Sequence, residues 1–420
     1  HRVPAITTRK AVCAWITVGV CSTSNLALAE GFLEDAKATL QTRNFYLNRD
    51  FRDGGGQNKR DEWAQGFVLD ARSGYTPGTV GFGIDALGML GVKLDSSPDR
   101  TGTGLLPVHD DGRAPDEYSK LGLTGKVKVS ASELKVGTLV PDLPTVQANN
   151  GRLFPQTFRG GLLTVSELEP LTFTAGRLDQ VTDRDRTAAE DLVLNNKNGR
   201  FRSGVTADHL TLAGFDYALN KHLNASYHFG ELEDIYRQHF FGLTGATALD
   251  PGQLKVDLRL AISKDHGTAA GGRIDNRAAN GMLTYSVKGH SFGAGYQQMS
   301  GDSAFPYIDG TDPYLVNFIQ INDFAGAKEK SGQLRYDFNF ASVGIPGLTF
   351  MTRYVKGWDV QRTNAEDGTE WERNTELQYI IQDGPLKNLG IRWRNAAYRS
   401  DFSRDVDENR LIVSYSIPLL

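Results

Sequence analysis

Apolar and polar residues alternate with a period of two along most of the chain after residue 36. In QLKVDLRLAIS the apolar set falls on every second position: Leu254, Val256, Leu258, Leu260 and Ile262. Most of the positions between them are polar or charged: Gln253, Lys255, Asp257, Arg259 and Ser263. The pattern returns in HLNASYHFG, GQLRYDFNF, TVGFGIDALGML and RLIVSYSI. Because successive side chains of a strand point to opposite faces, these segments predict strands of about 8–11 residues with one apolar face.

Hydrophilic connections separate the predicted strands, and their lengths differ widely. Some are long and rich in turn residues, such as RDGGGQNKRDE, SSPDRTGTG, GTAAGGR and SGDSAFPYIDGTDP. Others are tight, as in YALNKHLN and SVKGHSF. Long and short connections in alternation predict an up-and-down meander with one plain end and one elaborated end. No change of composition divides the chain after its first residues, so we expect a single β-domain.

Two architectures accommodate strands with one apolar face. A soluble sandwich packs the apolar face inward, whereas a membrane barrel turns it to lipid and lines a lumen with the polar face. Three features favour the barrel. Charged residues recur at mid-strand on the polar face, and the strands are long enough for a tilted membrane strand. The chain also ends within a strand, RLIVSYSIPLL, as closure of a barrel by its last strand requires.

The first 29 residues read as a secretion signal rather than as part of the fold. Arg2, Arg9 and Lys10 form a basic start, AVCAWITVGVC is a short apolar core, and Ala27-Leu28-Ala29 is a small-x-small cleavage site. The apolar run is too short for a membrane anchor. We therefore assign residues 1–29 to a signal peptide and residues 30–420 to the barrel.

Composition removes several classes of function. Both cysteines, Cys13 and Cys21, lie within the predicted signal, which argues against a disulfide scaffold, thiolate catalysis and cysteine-bound zinc. The formal net charge of −4 gives no general attraction for nucleic acid. The histidines lack zinc spacing, and the acidic runs in VTDRDRT and YIDGTDP lack the pattern of a calcium loop. We expect no metal, no cofactor and no enzyme activity.

Several long segments are distinctive enough to compare with known families: WAQGFVLDARSGYTPGTVGFGIDALGMLGVKLD, NNGRLFPQTFRGG, GELEDIYRQ, GIPGLTFMTRYVKGWD and NRLIVSYSIPL. They resemble the OprD family of substrate-specific outer-membrane porins, and the resemblance runs from about residue 31 to the C-terminus. It implies an all-β fold, an 18-stranded antiparallel transmembrane β-barrel with an inward-folded constriction loop. It also implies a Gram-negative outer membrane, both termini in the periplasm, and passive uptake of small carboxylates through a narrow pore.

The segment PDLPTVQANNGRLFPQTFRGG, residues 141–161, predicts the constriction loop. Pro141, Pro144 and Pro155 are incompatible with a continuous central strand, and Asn149-Asn150-Gly151 is a turn signal. In the family this loop folds back into the barrel, and the resemblance gives Arg152 the place of a pore-lining arginine. Arg159 lies close by in sequence and is a second candidate. The alternative is that both arginines tether the loop to acids on the wall.

The segment NLGIRWRNAAYRS predicts the facing wall. If Ile391 and Trp393 face lipid, then Arg392 and Arg394 point into the lumen. On the last strand, Leu411 facing lipid turns Arg410 inward as well. Guanidinium groups of like charge on one wall repel one another, so we expect water or a passing anion to screen them. The three residues resemble the family's basic ladder, which passes a carboxylate from one partner to the next. The alternative is that they are loop arginines paired with Glu372 or Glu376.

Candidate acids and two departures from the family pattern bear on the substrate. The resemblance gives Asp312 and Asp323 the places of pore-facing acids. Gln378 stands where basic-amino-acid channels carry a lysine, and Ile321 stands where they carry a tyrosine. An arginine wall facing a less acidic wall favours an anion with an apolar body, such as benzoate or vanillate. A basic amino acid or dipeptide porin is the alternative; a less selective diffusion porin and a barrel enzyme or adhesin are more distant ones. The expected partners are the carboxylate and membrane lipid, with the protein a monomer or a loose homotrimer.

Overall fold

Residues 31–420 are described by a computed structural model, and the predicted signal, including both cysteines, lies outside these residues. One antiparallel sheet of 18 strands dominates the fold. No helix in the described part of the chain is both long and apolar enough to cross a membrane. The strands, labelled β1 to β18 in chain order, are Lys37–Phe51, Lys59–Arg72, Val80–Asp95, Glu117–Val129, Ser132–Leu139, Thr157–Leu168, Leu171–Thr182, Leu210–Asn220, Leu223–Leu232, Tyr236–Leu249, Gly252–Asp265, Asp275–Val287, His290–Gly301, Lys330–Asn339, Leu348–Val360, Gly368–Ile380, Gly390–Ser400 and Val406–Pro418.

The sheet is closed into a barrel. Each strand pairs with its neighbour in sequence, and β1 pairs with both β2 and β18. The closing register runs from Thr39 opposite Pro418 to Phe51 opposite Val406. Closure leaves no unpaired sheet edge, as a membrane-spanning sheet requires. This confirms the predicted 18-stranded barrel.

The apolar strand faces point outward. On β11, Leu258 is 46% exposed, whereas Ser263 on the opposite face is fully buried. On β14, Leu334 is 69% exposed, and on β18 Leu411 is exposed while its neighbour Arg410 is buried. A soluble sandwich would show the reverse distribution. The observed one is that of a barrel in lipid.

The two ends of the barrel differ, as the connections predict. At the end that holds the two termini, some connections are only two residues long, such as 130–131 and 169–170. At the other end, which we call the loop end, the connections include residues 96–116, 140–156, 183–209 and 302–329. These four long loops carry many of the residues that line the pore.

The main apolar clusters lie between the barrel wall and the long loops. Leu153 and Phe154 from loop 140–156 pack on inward-facing Phe45, Leu47 and other wall residues. A second cluster joins Phe305 and Leu315 of loop 302–329 to Phe240 of β10. Burial of each such apolar side chain stabilises the folded state by roughly 1.5–3 kcal/mol, and this free energy holds the loops inside the lumen. This explains apolar residues at inward positions that a wholly water-filled lumen would leave polar.

Candidate functional site

Residues 140–156 form a loop, as predicted from the prolines, and this loop folds into the barrel, as the family resemblance implies. A short hairpin pairs Asp142–Leu143 with Val146–Gln147. The turn that follows is closed by Asn149, whose side-chain Oδ1 accepts from the backbone N–H of Gly151 at 2.7 Å. Close packing then fixes the loop against β2, where a Cβ on Gly66 would lie 2.7 Å from Cγ of Leu153. The loop is therefore held at a defined depth in the lumen.

Arg43 on β1 supports this loop at the turn. Its guanidinium donates to the backbone carbonyls of Asn150 and Arg152 and to Oδ1 of Asn150. Because a guanidinium presents several donors in a fixed planar fork, these contacts fix the position of the backbone that carries Arg152. The sequence patterns did not single out Arg43.

Arg152 itself is bound to backbone rather than to an acid. Its Nε donates to the carbonyl of Thr103 at 2.7 Å, and its Nη1 donates to the carbonyl of Gly151 at 2.9 Å. Backbone carbonyls orient the guanidinium without neutralising its charge. Arg152 therefore lines the lumen without a carboxylate partner among these contacts, and the alternative of a tether to wall acids does not describe them.

The wall arginines point into the lumen but are not free of acids. Arg394 lies opposite both Glu376 and Arg410 in the strand register, and Arg392 lies opposite Gln378. Arg392 Nη2 is 2.7 Å from Oε2 of Glu376, and Arg394 Nε is 3.2 Å from the same oxygen. The expectation that only water or a passing anion screens these two guanidiniums is wrong, because Glu376 projects from the adjacent strand β16 into the same space.

Arg410 is the most enclosed of the three wall arginines. It is buried, its Nε donates to Glu408 at 2.6 Å, and its Nη2 donates to the carbonyl of Gln320 in loop 302–329. Glu408 also accepts from Arg49 and Gln320. Arg410 thus binds loop to wall and at the same time contributes to the lining of the pore.

A constriction cavity of about 540 Å³ brings these elements together. Loop 140–156 forms one side, loop 302–329 contributes Phe318, Ile319 and Gln320, and the strands contribute the facing wall. Its lining contains two acids, Asp142 and Asp312, against five arginines: Arg152, Arg184, Arg353, Arg394 and Arg410. An excess of positive charge in a narrow pore with low-dielectric walls attracts anions.

Two of these five arginines were missed by sequence reasoning. Arg353 follows from strand parity, because the exposed Tyr354 beside it marks the lipid face of β15. Its Nε donates to Oδ1 of Asn374 at 2.7 Å. Arg184 carries no comparable signal, because it lies in the loop segment VTDRDRT, whose charges balance in sequence. The fold brings it to the constriction, where its Nη1 donates to Oδ1 of Asn149 at 2.8 Å.

Asp312 and Asp323 have different positions. Asp312 lines the constriction cavity and accepts from Nδ2 of Asn149 at 2.6 Å. Burial raises the pKa of its carboxyl to about 6, although the positive charge of Arg184 opposes the shift. This loop residue is therefore ionised at neutral pH and begins to take up a proton in mildly acidic solution.

Asp323 is buried, and its placement as a pore-facing acid is corrected by the structure. Both of its carboxylate oxygens are bound by Arg200, at 2.5 and 2.9 Å, and Tyr307 donates to one of them. Burial alone would raise the pKa of Asp323, but the charges of Arg200 and Lys197 outweigh it and hold the pKa well below its usual range. The pair joins loop 183–209 to loop 302–329, so Asp323 anchors loops rather than contacting a solute.

Arg159 is also displaced from its expected position. It lies on β6 and is exposed, and its contact is with Oε1 of Gln180 on β7 at 3.4 Å. It does not belong to the lining of the constriction cavity. Alternation along β6 places Arg159 on the same strand face as Leu163, whose side chain is exposed on the outside of the barrel. The expectation that it faces the constriction is wrong.

The two departures from the family pattern lie on the arginine-bearing wall and on a loop that contacts it. Gln378 faces the lumen beside Arg392, as predicted from strand parity. Ile321 lies in loop 302–329, and its backbone N–H donates to Glu372 at 3.0 Å. Glu372 is therefore occupied by the loop, and of the two acids considered as arginine partners only Glu376 contacts Arg392 and Arg394.

Comparison with known proteins agrees with this geometry. The profile described as outer membrane porin, OprD family, matches residues 30–419. The chain belongs to the OprD family of outer-membrane porins. It is 41% identical to the porin-like protein GalP of Pseudomonas putida over 398 residues, which cover 94% of this chain and 95% of GalP. Membership of the OprD family places the barrel in the outer membrane and identifies the protein as a channel rather than an enzyme.

Crystal structures of related porins match nearly the whole barrel. Pseudomonas aeruginosa OccK5 (OpdH) is 61% identical, with a TM-score of 0.85, and the match covers 93% of this chain and all of that one. Pseudomonas aeruginosa OpdK, solved with vanillate, is 41% identical, with a TM-score of 0.88, covering 92% of this chain and all of that one. The barrel fold is therefore shared with these porins over nearly the full length of the chain.

Proposed function

We propose that this porin admits small carboxylates, with aromatic acids such as benzoate and vanillate among them, along a path of lumenal arginines. One observation carries the proposal: five arginines against two acids line the constriction cavity. Guanidinium groups bind carboxylates through charged hydrogen bonds, each worth about 1.5–3 kcal/mol net. Several such partners in sequence allow an anion to enter without being trapped, which conduction requires.

The apolar part of the cavity supports an aromatic body on the solute. Phe318 and Ile319 of loop 302–329 lie on the cavity wall beside polar Gln320. A solute with a carboxylate at one end and a ring at the other would contact arginine and apolar side chains at once. The vanillate bound to the related OpdK is a solute of this kind.

The path runs from the constriction into a second space. A side chamber of about 440 Å³ is lined by Arg335, Asp337, Arg353, Glu376, Arg392 and Arg394. It shares Arg353 and Arg394 with the constriction cavity. We assign Arg152 and Arg410 to the constriction, Arg394 to the junction and Arg392 to the exit. In this orientation the loop end faces outside, and both termini face the periplasm.

A basic amino acid or dipeptide is the second candidate. Asp142 and Asp312 lie on the loop side of the constriction cavity and could pair with an ammonium group while the arginines hold the carboxylate. Both candidates share the arginine path and differ in what the acidic side binds.

Single-channel recording in planar bilayers distinguishes the two candidates. We expect benzoate and vanillate to block or modulate the current at concentrations where arginine does not, because an anion meets an excess of positive charge. Benzamide, which keeps the ring and lacks the charge, is the matched control and should leave the current unchanged. Modulation by arginine without modulation by the aromatic acids would refute the aromatic-acid proposal in favour of the second candidate.

A further inference from the structure

Glu376 occupies a position that a transported carboxylate would be expected to fill. It projects from β16 between Arg392 and Arg394 of β17, and it lies within 2.7 and 3.2 Å of their donor nitrogens. It lines the side chamber directly beyond the junction with the constriction cavity. An anion leaving the constriction past Arg394 therefore meets a carboxylate that is already bound.

The contact between Glu376 and the two arginines is incomplete. One oxygen, Oε2, serves both guanidiniums. The Nε atoms of Arg392 and Arg394 are buried and have no hydrogen-bond partner within the described chain. Arg394 Nε is close to Oε2 of Glu376, but this contact lacks the geometry of a hydrogen bond. Strong guanidinium–carboxylate pairs use two parallel hydrogen bonds. This group retains unused donors and, with two cations and one anion, a net positive charge.

Two nearby acids are bound differently. Glu408 is fully buried and accepts from Arg49, Arg410 and Gln320, so it is fixed in place. Asp337 forms a two-bond fork with Arg335, at 2.7 and 2.8 Å, which satisfies both partners. Glu376 differs from Asp337 in being held through a single oxygen, and it differs from Glu408 in being 15% exposed rather than fully buried. Glu376 is therefore much easier to displace than either Glu408 or Asp337.

We propose that Glu376 is a resident competitor that sets how long a carboxylate stays at Arg392 and Arg394. An arriving carboxylate takes the guanidinium donors while Glu376 rotates aside into the chamber, and Glu376 returns to the same donors as the solute departs. The number of charged hydrogen bonds hardly changes in this exchange, so the carboxylate binds weakly and is released fast. The inference rests on the proposed passage of carboxylates along these arginines, and it adds a residue that determines residence time and anion preference.

Glu376→Gln tests this role because it removes the charge and keeps the size. Asp337→Asn is the matched control, since it removes one charge from the same chamber without touching Arg392 or Arg394. We expect Glu376→Gln to lengthen benzoate dwell times in single-channel traces about tenfold, the effect of losing one competing charged hydrogen bond. It should also raise the chloride-to-potassium permeability ratio more than Asp337→Asn does. Unchanged mobility of the unheated barrel in gels would confirm that both variants fold.

The chloride measurement separates this inference from the proposed substrate. If benzoate leaves the wild-type current unaffected, the aromatic-acid proposal fails, and the permeability ratios of the two variants still decide the role of Glu376. Equal shifts in Glu376→Gln and Asp337→Asn would mean that only the total charge of the chamber matters and would overturn the inference. A benzoate dwell time in Glu376→Gln equal to or shorter than that of the wild type would overturn it as well.

Discussion

At the scale of single residues, Asp312 makes the charge of the constriction depend on pH. Its carboxylate accepts from Asn149 and faces a cavity that also contains Arg184. Because burial raises its pKa to about 6, Asp312 is mostly ionised at pH 7 and mostly protonated at pH 5. Protonation removes a negative charge from a cavity in which arginines already exceed acids.

We therefore predict that anion selectivity rises as the pH falls from 7 to 5. The measurement is the reversal potential in a potassium chloride gradient at each pH, which needs no organic solute. The matched variant Asp312→Asn should show the higher selectivity at both pH values and a flatter pH dependence. An equally steep dependence in Asp312→Asn would assign the titration to another group.

The residue scale is also where sequence reasoning reached its limit. Arg392 and Arg394 follow from strand parity once Ile391 and Trp393 are placed toward lipid, and Arg410 follows in the same way from Leu411. Arg184 does not follow, because long-range loop packing brings it to the constriction cavity. Arg159 is misplaced when it is treated as part of the loop, because it belongs to β6 and shares the strand face of the exposed Leu163. The contact of Glu376 with Arg392 and Arg394 depends on the register between β16 and β17, which alternation within a single strand leaves undetermined.

At the scale of the strand, the two faces differ in the solvent they meet. On β10, Leu243 lies on the outward face opposite Leu258 of β11, whereas Thr244 lies on the lumenal face opposite Asp257. The two residues are adjacent and stand near the middle of the strand. Since side-chain direction reverses at each residue, they form a matched pair that tests the orientation of the barrel wall.

A charge should therefore be costly at one position and tolerated at the next. We predict that Leu243→Arg destabilises the barrel by about 2–4 kcal/mol, the cost of an arginine near the bilayer midplane. Thr244→Arg should change stability far less, because it projects into water beside an acid. Urea unfolding in lipid vesicles measures both variants. Equal costs, or a larger cost for Thr244→Arg, would contradict the assigned faces.

Aromatic side chains on the outward face form two groups at different heights. Tyr296 and Trp358 lie near the loop end together with Tyr354 and Trp371. Phe292 and Tyr336 lie nearer the end that holds the termini. Aromatic rings collect at membrane interfaces because they combine an apolar body with a polar edge or hydroxyl, so the two groups mark the limits of the apolar band.

At the scale of the whole molecule, the barrel supplies a rigid wall and the loops supply selectivity. Period-two alternation predicts the strands and their two faces, because lipid and lumen impose opposite polarity on successive residues. The outward direction of the apolar face and the closure of the sheet follow instead from mid-strand charges, strand length and the strand at the end of the chain. It does not predict which inward positions are apolar. Phe45 and Phe240 are buried beneath loops 140–156 and 302–329, respectively. Those contacts join residues far apart in sequence and appear only in the folded molecule.

The loops are fixed to the wall and to one another by buried polar pairs. Asp323 with Arg200 joins two loops, and Glu408 with Arg410 joins the wall to loop 302–329 through Gln320. Removing one partner of a buried ion pair typically costs about 3–5 kcal/mol, because the other charge is left buried and unpaired. The loops that line the constriction are therefore held in fixed positions by these contacts.

The most direct test of the account is the ion selectivity of the double variant Arg392→Ala/Arg394→Ala. The reversal potential in asymmetric potassium chloride should move toward that of a less anion-selective pore while the barrel stays folded. Lys255→Ala, which removes a cation from β11 outside the arginine path, is the control and should leave the potential nearly unchanged. If the double variant gives the wild-type reversal potential, then the arginine wall does not select the solute and the central claim is wrong.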